Sequence, residues 1–216
     1  MYKEPLKFSG WHETRMLHEA ILKCGRPIVL SLSPGPAHVD RVWNYSEHAN
    51  MWRITDDFWD NWEALKDMFT RCERWQDHVK KGCYPDCDML PLGFLGKGFG
   101  QERRTNFTED EQRTMLTLWC IFGSPLMLGC ELTKLDDETL KLITDEQILG
   151  LLAEGRHGRQ LVHTDKFAAW INEPTEEKAV DDERRHVSFN AADYRVSGGR
   201  LLEYEIPAHG SVLVKL

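Results

Sequence analysis

The sequence predicts an α/β fold: about four βα units, half of a (β/α)8 barrel, over residues 1–150, then a small antiparallel, sandwich-like β domain over residues 151–216. Three observations predict it. Apolar runs of strand length alternate with amphipathic helical stripes through the first part, a rhythm that implies parallel βα units. A complete barrel takes about 250 residues, so the space before residue 150 holds about half of one. From Gly150 to Gly158 the texture changes to Gly, Arg and His, and short strand-like runs follow.

Residues 12–24 place Met16, Leu17, Ala20, Ile21 and Cys24 at helical spacing, Gly25 stops that helix, and Ile28 to Leu32 reads as a buried strand. Trp52 to Thr55 is the next strand. Residues 59–80 then carry Trp62, Leu65, Met68, Phe69, Cys72 and Trp75 on one stripe before Gly82. Met89 and Leu90 end a third strand. Thr108 followed by Glu111 is a capping-box pattern, in which hydroxyl and carboxylate satisfy free amides at a helix start, and Met115, Leu118, Trp119 and Phe122 continue that helix. Gly123 and Pro125 break it. Leu126-Met127-Leu128 reads as a fourth buried strand, and a last helix runs near Asp136 to Thr144 with Leu140 and Ile143 inward. In the tail, Leu161-Val162, Phe167 to Ile171, His186 to Phe189, Leu201 to Ile206 and Ser211 to Leu216 read as strands, with Glu173 to Arg185 a charged, solvated loop. No internal repeat or low-complexity tract interrupts the pattern.

A composition of 41% hydrophobic and 29% charged residues is that of a soluble globular chain. The formal net charge of -8 and short basic runs such as Lys80-Lys81 and Arg103-Arg104 argue against a nucleic-acid partner, which needs clustered Lys and Arg. No apolar run approaches the roughly 18 residues of a membrane span. The first residues lead into no secretory core, so the chain as written is expected to be cytoplasmic, with a secreted or periplasmic place open to a longer parent. Six cysteines in a chain able to build its own core are expected to be free thiols, and Cys83-x-x-x-Cys87 lacks the second ligand pair of a zinc site. His38, His48, His157 and His163 have neither ligand nor triad spacing.

The chemistry-bearing residues gather at strand ends. In a parallel barrel these converge on one face, so Ser33, Asp57 and Asp88 could share a site although far apart in sequence. Hydrolysis of a glycosidic bond uses one carboxylic acid to protonate the leaving oxygen and one carboxylate to attack or to activate water. Arg53 and Asp57, four apart across a strand end, suit such chemistry, and Asp88 could bind a sugar hydroxyl. Other duties are open to the same residues. Asp56, Asp57 and Asp60 could start the following helix, where acids are favoured by the dipole, and this is the preferred reading for Asp56 and Asp60. Asp86 and Asp88 could be turn residues beside Pro85. The tryptophans at 43, 52, 59, 62, 75 and 119 are mostly core by periodicity, though Trp52 could border a sugar.

The run of Trp52-Arg53, Asp57 and Trp62, then Pro85-Asp86-Cys87-Asp88-Met89-Leu90-Pro91-Leu92-Gly93, then Glu111 to Trp119 and Ser124-Pro125-Leu126-Met127, resembles the C-terminal half of glycoside hydrolase family 27, the alpha-galactosidases and alpha-N-acetylgalactosaminidases. The resemblance covers about residues 26–150, and Pro207 to Ser211 resembles the close of that family's terminal β-sandwich. It implies a retaining mechanism with Asp57 as acid/base, Arg53, Asp86 and Asp88 as substrate-binding residues, and no cofactor. Cys87 replaces the proline between the two acids. Ser33 stands where the family often has a glutamate that reads the sugar's 2-position, and the Ser33-Pro34-Gly35-Pro36 loop departs from the usual sequence. The family's nucleophile follows a Lys-x-Asp strand earlier in the barrel. Lys134-Leu135-Asp136 has those letters but lies after the last strand, so the nucleophile is not assigned to it.

The expectation is therefore a fragment of a retaining alpha-galactosidase-like hydrolase acting on terminal alpha-linked galactose-type sugars, inactive alone for want of the nucleophile. A half barrel exposes two strand edges and an apolar helix-packing surface, so the expected partner is a chain supplying the N-terminal half barrel, or a second copy. The alternative is a non-catalytic carbohydrate-binding or interaction module built on the same fold.

Overall fold

A computed structural model describes residues 10–33, 35–97, 100–152, 156–174, 186–188 and 206–215. Helix α1 spans Trp11–Cys24 and closes at Gly25, which takes the left-handed φ of 68° that a side chain resists. Strand β1 (Ser31–Leu32), helix α2 (Val42–His48) and strand β2 (Met51–Arg53) follow, then helix α3 (Trp62–Trp75) and strand β3 (Tyr84–Asp86). The three strands form one parallel sheet in the order β1-β2-β3, with Leu32 beside Trp52 and Arg53 beside Asp86. The parallel array continues beyond β3, where Leu90 bridges Leu128 and the Leu90 amide donates to the Met127 carbonyl at 2.8 Å.

Helix α3 forms where the apolar stripe lies. Leu65, Met68, Cys72 and Trp75 are buried, and the Asn61 side chain caps the helix by accepting from the Ala64 amide. The helix-starting role expected of Asp60 thus belongs to Asn61, because Asp60 is turned inward onto Arg103. A short hairpin of β4 (Phe94–Leu95) and β5 (Arg103–Arg104) precedes helix α4 (Glu109–Phe122). The capping box of α4 is complete: the Glu111 amide donates to Thr108 Oγ1 at 3.2 Å, and the Thr108 amide donates to Glu111 Oε2 at 2.9 Å. From Thr114 to Phe122 α4 is buried on all sides, so it is an interior helix, packed between the parallel strands and the following sheet.

Short helices α5 (Asp137–Ile143) and α6 (Glu146–Leu149) lead to an antiparallel sheet of β6 (Arg156–His163), β7 (Ala168–Pro174), β8 (His186–Ser188) and β9 (Val214–Lys215), in that order. It sits close against α4. A Cβ on Gly158 would lie 1.6 Å from the Ile121 carbonyl oxygen, so only glycine allows β6 to approach that closely. Trp170 of β7, 3% exposed, meets Phe122 edge-on. Near the chain end His209 lies flat on Trp62 at 3.7 Å, its Nδ1 is 2.6 Å from Glu111 Oε1, and Thr114 Oγ1 donates to its carbonyl at 2.7 Å.

Several expectations need correction. Ile28 and Val29 are 41% and 69% exposed, and Met127 and Leu128 are 49% and 41% exposed, where two buried strands were expected. These residues carry buried-strand sequences but occupy the two outer edges of an open parallel array. Leu140 points outward at 47% exposed, because α5 packs through Thr139. Helix α2 is not among the expected elements; its buried residues are Asn44, Tyr45 and His48, two of them polar, so no apolar stripe marks it. The expected strand at Leu201 to Ile206 lies outside the described residues save Ile206.

Candidate active site

The acids and the arginine meet just past the ends of β2 and β3. Parallel pairing sets Arg53 beside Asp86, and the Ile54 amide donates to the Asp86 carbonyl at 2.9 Å, which aligns the two strand ends. Arg53 Nη1 donates to Asp57 Oδ1 at 2.6 Å and is 3.0 Å from Asp88 Oδ2. One guanidinium therefore joins two carboxylates that are 31 residues apart in sequence. Their settings differ: the Asp57 side chain is 81% exposed, whereas those of Arg53 and Asp88 are 16% and 12% exposed. Asp57 can reach a ligand, and Asp88 is held.

Asp88 is held by geometry as well as charge. Its φ of 80° lies in the left-handed region that costs a residue with a Cβ. Its carboxylate accepts the Phe58 amide at 2.7 Å, its own amide donates to Asp86 Oδ1 at 2.9 Å, and Trp119 Nε1 donates to its carbonyl at 2.9 Å. Asp86 is 7% exposed; burial pushes its carboxyl above the ordinary range, against the pull of the Asp88 amide. Asp86 thus shapes the turn from below while Asp57 faces outward.

The other expected residues are placed differently. Trp52, 1% exposed, stacks on Tyr45 at 5.6 Å and lies 6.1 Å from Trp75, so its ring belongs to the helix-facing core; along a strand its side chain points opposite to Arg53. Ser33 is exposed at the end of β1. Its loop comes near the site, since the Ala37 amide donates to the Arg53 carbonyl at 2.8 Å and a Cβ on Gly35 would lie 3.4 Å from Asp56 Oδ1. Periodicity predicts Trp59 in the core, yet it is 38% exposed two residues after Asp57, because it lies before the start of α3. Asp60, 4% exposed, accepts hydrogen bonds from Nη1 and Nη2 of Arg103 and from the Asn106 amide. Burial would raise its carboxyl, but those donors hold it below the ordinary range.

Cys72 and Cys87 lie fully buried with sulfurs 3.6 Å apart behind the acid turn, and burial pushes the Cys72 thiol well up. Among the described residues no group of three or more His, Cys, Asp or Glu is placed to hold a metal ion, and no helix is long and apolar enough to cross a membrane. A cavity of about 480 Å³ lies away from the acids, between α3, α4 and the antiparallel sheet. None of Arg53, Asp57, Asp86 and Asp88 lines that cavity.

The family model described as Alpha galactosidase A matches residues 6–154 of this chain. The chain belongs to that family, glycoside hydrolase family 27. Among curated relatives of this family 27 chain, Alpha-galactosidase 2 of Arabidopsis thaliana is 25% identical over 166 residues, covering 76% of this chain and 39% of the plant protein. Human Alpha-galactosidase A is 27% identical over 161 residues, covering 70% and 35%. Among solved structures, a GH27 β-L-arabinopyranosidase of Geobacillus stearothermophilus superposes with a TM-score of 0.75 at 47% identity, covering 82% of this chain and 40% of that enzyme. Alpha-galactosidase I of Mortierella vinacea, 18% identical with a TM-score of 0.68, shares the fold. These neighbours are TIM-barrel enzymes, and the family 27 chain spans about two fifths of the length of the relatives it matches.

Proposed function

We propose that this chain is the acid/base-bearing part of a retaining glycosidase for galactose-type sugars, with residues 1–150 the C-terminal half of the barrel and residues 151–216 its terminal β domain. One observation carries the reading: Arg53 joins an exposed Asp57 to a held Asp88 at the ends of adjacent parallel strands. In the proposed reaction Asp57 protonates the leaving glycosidic oxygen as a separate carboxylate attacks the anomeric carbon; the resulting Asp57 carboxylate then takes a proton from the water that cleaves the glycosyl-enzyme. Arg53 orients Asp57, and Asp88 and Asp86 fix the turn that meets the sugar hydroxyls. The attacking carboxylate is proposed to come from the other half of the barrel. Asp136 is unsuited to it, since it caps α5 and pairs with Arg104 at 2.9 Å.

A second substrate deserves equal testing, because the 47% identical neighbour is a β-L-arabinopyranosidase. β-L-Arabinopyranose has the ring configuration of α-D-galactose without the exocyclic hydroxymethyl group, so one acid/base arrangement serves both. The test is hydrolysis of aryl α-galactoside, α-N-acetylgalactosaminide and β-L-arabinopyranoside by the chain, alone and mixed with an upstream four-unit half barrel of the family. Hydrolysis that arises in the mixture and disappears with Asp57→Asn supports the proposal. Saturable sugar binding without hydrolysis in the mixture would instead favour a carbohydrate-binding module.

A further inference from the structure

We propose that Trp119 is the positioning residue of the acid cluster, a role that rests on reading Asp57 and Asp88 as site residues. Trp119 sits on α4, fully buried, and grips both acid-bearing loops at once. Its Nε1 donates to the Asp88 carbonyl at 2.9 Å, and its ring meets Phe58 edge-on, 5.0 Å between centroids at 61°. Phe58 follows Asp57 in the chain, and its amide donates to Asp88 Oδ2 at 2.7 Å. Trp119, Phe58 and Asp88 thus form a closed triangle: ring on ring, amide on carboxylate, indole on carbonyl.

The indole N–H matters because Asp88 is strained. At a φ of 80° the residue turns its carboxylate to Arg53 while its carbonyl faces the helix layer, where water cannot serve as the acceptor's partner. Trp119 supplies that partner. Without it the left-handed conformation leaves a buried carbonyl unbonded, and the turn relaxes, taking the carboxylate away from the Phe58 amide and from Arg53. An aromatic ring alone would fill the same space and leave this fault.

The test reads amide hydrogen exchange by NMR in the whole chain, comparing wild type with Trp119→Phe and with the benzothiophene isostere at 119, which keeps the ring shape and lacks the N–H. Exchange of the Phe58 and Met89 amides, both donated to the Asp88 carboxylate, is expected to quicken about tenfold as one hydrogen bond is lost. That of Ile54, bonded to the Asp86 carbonyl, is expected to stay as it was. The isostere decides the matter if Trp119→Phe does not fold. Unchanged exchange at Phe58 and Met89, or an equal rise at Ile54, overturns the proposal, since the side chain is then core filling. This readout is independent of turnover, so absent hydrolysis would strike at the glycosidase reading and leave the clasp standing.

Discussion

At the scale of single residues, Asp57 on Arg53 and Asp60 on Arg103 differ in what their loss should do. Asp57 is exposed and anchored from one side, so Asp57→Asn is expected to leave the thermal midpoint nearly unchanged while lowering hydrolysis by the assembled enzyme about a hundredfold or more. Aryl glycosides with acidic leaving groups should be spared, because they depart without a proton; equal losses on good and poor leaving groups would remove Asp57 from the acid role. Asp60 is the reverse, buried and structural. Asp60→Asn should cost about 2 kcal/mol, below the range for breaking a fully buried pair because Arg103 keeps a third of its surface in water. The pH dependence follows from the direction of the shifts. A carboxyl held low in the fold, as in Asp60, stabilises above its unfolded value of 3.8 and loses that contribution as pH falls through the lowered folded value. Asp86, raised by burial, works oppositely: its contribution is full below 3.8 and is lost as pH rises through the elevated folded value. Acid unfolding followed by circular dichroism should therefore be flatter in Asp60→Asn, and Asp86→Asn should gain relative to wild type above that window.

At the scale of elements, the approach of β6 to α4 depends on a missing side chain. Gly158→Ala places a methyl group against the Ile121 carbonyl, and chemical denaturation should register a loss of about 2 kcal/mol or more, with α4 intact by helical signal. What could be read beforehand from the sequence divides along the same physical line. The stripe of α3 and the capping box of α4 are local signals, decided within a few residues, and both stand where the spacing put them. The Arg53 to Asp57 pair was legible for the same reason. The link from Arg53 to Asp88 was legible only in outline: converging parallel strand ends let Asp57 and Asp88 share a site, but spacing says nothing of which ends adjoin, and Asp86 entered as a site residue only through likeness to a known family. Trp52 shows a different limit: one aromatic at a strand start can face either layer, and the side is set by which neighbour needs to face the acids. Asp60 was read as a helix starter because its partner, Arg103, lies 43 residues away.

At the scale of the whole molecule, the parallel array ends in two apolar edges. Ile28 and Val29 on one side and Met127 and Leu128 on the other expose hydrocarbon, which soluble chains tend to cover. The chain alone should therefore associate as its concentration rises. Light scattering should show that association reduced by Val29→Lys and suppressed by the complementary half barrel; a strictly monomeric chain at all concentrations would contradict this. Two segments distant in sequence are joined at another point. Glu111 gives one carboxylate oxygen to the Thr108 amide at the start of α4 and the other to His209, 98 residues later. That carboxylate answers to two partners, so inheritance at this position is constrained from both sides. A replacement that suits the helix start but not the tail, or the tail but not the helix start, loses one of the two, and descent should preserve or exchange residues 108, 111 and 209 as a set.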